Sequence, residues 1–109
     1  RWSEGLFGRS GYSQIGAVVG ATYPQTLRLL REKYDRLFFL VPGYGAQGGT
    51  ARNVQGAFDR FGHGAIITAS RSIICAWQSS GSDGRDYCTH AVAAAEKMKQ
   101  DLAEYVTVL

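Results

Sequence analysis

Leu37-Phe38-Phe39-Leu40-Val41-Pro42-Gly43-Tyr44-Gly45-Ala46-Gln47-Gly48-Gly49-Thr50 runs from an unbroken apolar stretch through a glycine loop to a residue suited to open a helix. The apolar stretch does not alternate with polar residues, so both of its faces are expected to be buried, as in a parallel strand covered by helices. The glycines let the backbone turn N–H groups toward an anion. Thr50 can cap a helix whose N-terminus favours negative charge. Gln47 is the single amide side chain at the apex of this loop.

Two further apolar runs flank it, Ile15-Gly16-Ala17-Val18-Val19-Gly20 and Gly64-Ala65-Ile66-Ile67-Thr68-Ala69. The three predict strands near 15–20, 37–41 and 64–69. Between them lie amphipathic segments. Pro24 to Asp35 opens with proline in its first turn and places Leu27, Leu30 and Tyr34 on one face, with Thr22 read as its cap. The helix after Thr50 carries Val54, Ala57, Phe58 and Phe61 as a stripe. Beyond a polar stretch from Gln78 to Gly84, Asp86 can cap a long last helix. Its Tyr87, Ala91, Ala94, Ala95, Met98, Leu102 and Tyr105 follow the i, i+3/i+4 spacing of a core-facing stripe. The first fifteen residues read as a helix end and loop. The order is therefore βαβαβα, with strands recurring roughly every 20 to 30 residues. That order fits a slice of a (β/α)8 barrel or part of a doubly wound sheet, and both place ligands at the carboxyl ends of the strands.

Composition narrows the classes. The 109 residues make one domain at most, against about 250 for a complete TIM barrel. Apolar residues at 45% and charged ones at 19% are globular proportions. The net charge of +3 is spread along the chain without the dense basic stripe of a nucleic-acid binder. No apolar run approaches the ~20 residues of a membrane helix. Two cysteines make no disulfide framework, and Cys75, within Ser72-Ile73-Ile74-Cys75-Ala76-Trp77, is expected to be a buried, reduced thiol of a cytoplasmic protein. The start at Arg1-Trp2-Ser3-Glu4 is neither a signal peptide nor an initiator methionine, so the sequence is expected to begin within a longer polypeptide.

The loops at the strand ends carry the chemistry. Ser70-Arg71-Ser72 follows the third run, and a guanidinium there calls for an acidic neighbour or a bound anion. An N–H-lined glycine loop beside a fixed guanidinium suits a phosphate monoester, whose oxygens the guanidinium can grip in pairs. His63 precedes the third strand, at the opposite end. Cys88 and His90 lie two apart on the last helix and point in different directions, so no metal site is expected. Two alternatives stand, a non-catalytic phosphate-binding or interaction module and a dinucleotide-binding segment. Gly43-x-Gly45-x-x-Gly48 formally matches the dinucleotide fingerprint, and Ser70-Arg71 could suit a 2′-phosphate, as in an NADP-binding Rossmann segment of an oxidoreductase. Against it, Pro42 stiffens the turn and Gly49-Thr50 delays the helix.

Taken in order, Gly16-Ala17-Val18-Val19-Gly20-Ala21-Thr22, Phe39 to Thr50, and Ala65-Ile66-Ile67 with Ser70-Arg71-Ser72-Ile73-Ile74 resemble the last three βα units of orotidine 5′-phosphate decarboxylases, most closely the second bacterial subfamily. The resemblance implies the C-terminal three βα units of a (β/α)8 TIM barrel, spanning residues 1–109 as one partial domain. It implies decarboxylation of orotidine 5′-monophosphate to UMP in pyrimidine biosynthesis, with no cofactor or metal, in a homodimer formed through the intact barrel. Carried over by position, Gln47 matches a lid-loop glutamine reaching both phosphate and pyrimidine. Arg71 matches the phosphate-binding arginine, Ser70 the backbone amide beside it, and Pro42 a proline lining the pyrimidine pocket. The family decarboxylates with an Asp-x-Lys-x-x-Asp constellation. None of Asp35, Asp59, Asp83, Asp86 and Asp101 is followed two residues later by lysine, so no catalytic residue is assigned in this chain, which alone is expected to be inactive. Three strands without the rest of a barrel leave open edges and bare faces. Phe38, Phe39, Ile66 and Ile67 are expected to lack partners, and the isolated chain to be poorly stable or oligomeric.

Overall fold

The computed structural model describes residues 7–9, 11–45 and 48–108. Strands β1 (Gly16–Val18), β2 (Phe38–Val41) and β3 (Ala65–Ile67) lie side by side in chain order, all parallel. Helix α1 (Pro24–Lys33) joins the first two. Helix α2 (Ala51–Val54), continued by a 3-10 turn at Gln55–Ala57, joins the second pair. After β3 come a short helix α3 (Ser70–Ile74), a 3-10 turn (Ala76–Ser80) and the long helix α4 (Tyr87–Ala103). The fold is thus α/β with parallel strands, and no described helix is long and apolar enough to cross a membrane.

One face of the sheet builds the core. Phe39 and Val41 of β2 are buried with Ala21, Leu27, Val54 and Ala57, and Ala17, Ala65 and Ile67 pack against them. Alternation along the strands turns the intervening residues to the other face. There Val18, Leu40 and Ile66 stand in register across all three strands and remain 69%, 41% and 53% exposed. The bare surface is therefore this row. It does not include Phe39, which is buried, or Ile67, which is partly so. Phe38 is also partly shielded, because the Tyr12 ring meets it edge-on with centroids 5.7 Å apart. A radius of gyration of 15.4 Å, against about 13 Å for a compact domain of this length, fits a sheet covered on one side.

Arg31 organises the strand starts. It lies one turn beyond Leu27 on the core face of α1 and is only 7% exposed. Its Nε donates to the Ala57 carbonyl at 2.7 Å and its Nη2 to Gly64 at 2.7 Å. Its Nη1 donates to Leu37 at 2.8 Å, with longer contacts to Tyr34 and Asp35. The guanidinium also lies over the Phe39 ring, 4.1 Å from its centroid. Burial pushes its pKa down from the ordinary arginine value, while Tyr12, Asp59 and Asp35 pull the other way. One side chain thereby ties together the end of α1, the entry to β2, the 3-10 turn and the entry to β3.

Several local expectations are corrected. Thr22 does not cap α1: Tyr23 holds the N-cap position without a side-chain bond, and Thr22 lies one residue too early to reach the first-turn N–H groups. Thr50 does cap α2, in a reciprocal box with Asn53. That helix stops at Val54, however, and Phe61 is exposed. Asp59 Oδ1 accepts from the N–H groups of Phe61 and His63, a local turn that competes with continued helix. Asp86 stands at the N-cap of α4, but its carboxylate is taken by the Ser82 hydroxyl and the His90 imidazole. None of the α4 stripe is fully buried, and Cys75 is only half-buried. Before β1, the described residues form an antiparallel bridge between Phe7 and Ser13, with no helix end.

Candidate functional site

Parallel strands bring all three carboxyl ends to one edge, and the chain there is stitched by its own backbone. The Ala21 N–H donates to the Pro42 carbonyl at 2.7 Å, and the Thr68 N–H to the Val41 carbonyl at 3.0 Å. The glycine loop closes on itself: Gly49 N–H donates to Gly43, Gly45 to Gly49, and Gly48 to Gly45. Gly49 is buried, and only glycine fits there, because a Cβ would lie 2.6 Å from the Gly43 carbonyl oxygen and 2.7 Å from the Ala21 methyl group. Gly45 has φ +79°, and a Cβ on it would overlap the Ser72 hydroxyl of α3. Gly45→Ala is therefore expected to combine left-handed strain with a clash. The expected cost is about 1–3 kcal/mol, read as a lower unfolding midpoint and displaced Ser72 resonances.

Beyond this neck, Pro42, Gly43, Tyr44, Thr68, Ala69, Ser70 and Arg71 line a cleft of about 140 Å³. Three of the four sequence-predicted site residues, Pro42, Ser70 and Arg71, thus share one small cavity. Gln47 lies outside the described residues. Sequence reasoning gave no role to Thr68 or Tyr44, although Tyr44 sits within the quoted loop. Thr68 is the residue directly after β3, where a barrel or doubly wound sheet presents ligand contacts, and that position was the available signal.

Arg71 occupies the first turn of α3, not a strand end, and its side chain is exposed. The desolvation argument for a partner is accordingly weaker than the sequence suggested. A structural ion pair does not replace it, since no described carboxylate pairs with Arg71. Among the described residues the cleft lining contains no acid. The expected N–H-lined loop is corrected, because the Gly45, Gly48 and Gly49 N–H groups are spent on carbonyls of the loop itself and Gly43 alone of these glycines lines the cleft; the guanidinium is what makes the concavity electropositive. The cleft's size is below that of pockets for whole ligands, which begin near 300 Å³.

Other candidates fall away. Among the described residues, no group of three or more histidine, cysteine, aspartate or glutamate side chains could hold a metal. His63 is exposed just before β3, at the far end of the sheet, as expected. The dinucleotide reading is not supported: Gly48 precedes α2 by three residues, and α2 is a single turn that tightens into 3-10 geometry. A Rossmann site needs the last glycine at the head of a sustained helix.

Fold and cleft together define an α/β segment with a small arginine-lined cleft at the carboxyl ends of parallel strands. Its likeness to known proteins is specific. The chain is 39% identical over 103 residues to the orotidine 5′-phosphate decarboxylase of Clostridium perfringens (strain ATCC 13124), covering 94% of this chain and 35% of that protein. Among solved structures, a Toxoplasma gondii protein described as an orotidine-monophosphate decarboxylase superposes with a TM-score of 0.64 at 30% identity, over 93% of this chain and 32% of its own. Leishmania donovani UMP synthase gives 0.62 at 33% identity, over 93% and 20%. No protein-family model matches the chain. The resemblance read from the motifs is therefore borne out over nearly the whole chain, which spans about a third of the length of the curated relatives it matches.

Proposed function

We propose that this chain is the C-terminal three βα units of a (β/α)8 barrel that converts orotidine 5′-monophosphate to UMP and CO2. In this reading the chain supplies the phosphate grip. Arg71 holds the phosphate dianion, with the Ser70 N–H beside it, Gln47 approaches from the glycine loop, and Pro42 lines the adjoining pyrimidine pocket. The observation that carries the reading is the cleft joining Pro42, Ser70 and Arg71 at the strand ends, where no described carboxylate pairs with the guanidinium. It is supported by the similarity to the decarboxylases, and by phosphate sites that barrels commonly build from the loops after their last two strands. The exposed Val18–Leu40–Ile66 row becomes barrel interior once further strands close the sheet, and a homodimer of such barrels belongs to the same proposal.

The division of labour has a physical basis. Phosphate is remote from the bond that breaks, so its binding energy can align the ring and exclude water without touching the reacting atoms. In the reaction the bond between C6 and the carboxylate carbon breaks, CO2 leaves with its oxygens, and the electron pair left on C6 takes a proton. A lysine ammonium in an Asp-x-Lys-x-x-Asp array would stabilise that carbanion and protonate it. These 109 residues hold no such array.

Replacing the matching third of the Clostridium perfringens enzyme by this chain tests the proposal. The chimera is expected to release CO2 from orotidine 5′-monophosphate and to bind UMP. A folded chimera that does neither overturns it.

A further inference from the structure

Tyr44 stands between two cavities. It lines the small anion cleft on one side, and on the other a groove of about 720 Å³ between the glycine loop, α3 and α4. It is held from both of those helices. Its hydroxyl donates to Asp101 Oδ2 of α4 at 3.3 Å, across 57 positions of chain. Its carbonyl accepts from the Ser72 hydroxyl of α3 at 3.4 Å. Asp101 Oδ2 also accepts from Lys97 Nζ at 3.1 Å, which fixes the carboxylate on the helix surface. The backbone on either side of Tyr44 is the pinched neck formed by Gly43, Gly45 and Gly49. Burial, and then the charge and hydrogen bond of Asp101, raise the Tyr44 pKa, so the phenol stays a donor at neutral pH. No part of this arrangement touches a reacting atom, and nothing in the proposed chemistry uses α4.

We propose that Tyr44, anchored by Asp101 and Ser72, is a positioning residue that sets the neck of the glycine loop against Arg71, so that α4 tunes how well the cleft grips a phosphomonoester. The inference rests on the proposed phosphate role of that cleft. Its consequence is selective: loosening the anchor weakens recognition of the phosphate and leaves recognition of the nucleoside moiety comparatively intact.

The test compares orotidine 5′-phosphate with orotidine, in a complete barrel carrying this segment. Tyr44→Phe keeps the ring and removes the donor. It is expected to lower the ratio of kcat/KM for phosphorylated over unphosphorylated substrate by about five- to tenfold, mainly through KM. Asp101→Ala is expected to lower it equally. Asp101→Asn, which keeps an acceptor, should restore most of the ratio, and the Tyr44→Phe/Asp101→Ala double variant should be no worse than either single one. An unchanged ratio, an equal fall for both substrates, or additive effects overturn the anchor. Arg71→Ala run in parallel separates the two readings. If it too leaves the ratio untouched, the phosphate cleft itself is wrong; if it alone collapses the ratio, only the anchor is.

Discussion

Arg31→Met is expected to lower the unfolding free energy by about 3–5 kcal/mol, measured by denaturant titration of a barrel carrying this segment. Methionine retains an apolar stem and a polarizable contact to Phe39, so the loss isolates the guanidinium. Removing it strands the carbonyls of Ala57 and Leu37, which it engages at 2.7 and 2.8 Å, and takes one of two donors from Gly64, whose carbonyl keeps the Phe39 N–H at 2.9 Å. A buried acceptor left without a donor costs roughly 1–3 kcal/mol. Arg31→Lys should recover only a small part of the loss, because an ammonium cannot span carbonyls that a planar fork reaches together. A change below 1 kcal/mol for Arg31→Met would show that those carbonyls find other partners.

The second large effect is on function. Arg71→Ala in the same complete barrel is expected to lower kcat/KM for orotidine 5′-phosphate by about 3 kcal/mol, or roughly 100-fold, as the loss of a charge-assisted grip does. Stability should hardly move, since no described carboxylate pairs with this exposed side chain. Orotidine, which lacks the phosphate, should react at nearly the parent rate, and added phosphite dianion should no longer accelerate it. Because the guanidinium is exposed, the difference between parent and variant should narrow as salt is raised. An unchanged kcat/KM for the phosphorylated substrate removes Arg71 from the site.

These two arginines differ in how far they could be read from the chain. Arg71 comes soon after the third apolar run, in the first turn of a short helix, and in parallel sheets that position is at the ligand edge whatever surrounds it. Pro42 and Ser70 were named as site residues by the resemblance to the decarboxylases. Gln47, read by the same argument, lies outside the described residues. Arg31 received no role in the sequence, yet it occupies the i+4 position from Leu27, and that spacing was the missed signal. Its burial depended on carbonyls from Leu37, Ala57 and Gly64 converging on one point, which no local pattern encodes. The helix over Val54 to Phe61 failed for a complementary reason: its apolar spacing was helical, but Asp59 offered nearby N–H groups a competing acceptor.

What the sequence determined by itself was the order of strands and helices, their parallel pairing and the meeting of Pro42, Ser70 and Arg71 beyond the strand ends. Each depends on runs of neighbouring residues whose backbone preferences act locally. The tertiary structure alone decided that Phe39 turns to the core while Leu40 is left bare, that Arg31 ties the strand entries together, and that Asp101 reaches Tyr44. Those outcomes join residues dozens of positions apart, and they follow from how the elements stack and which polar groups burial leaves in need of a partner.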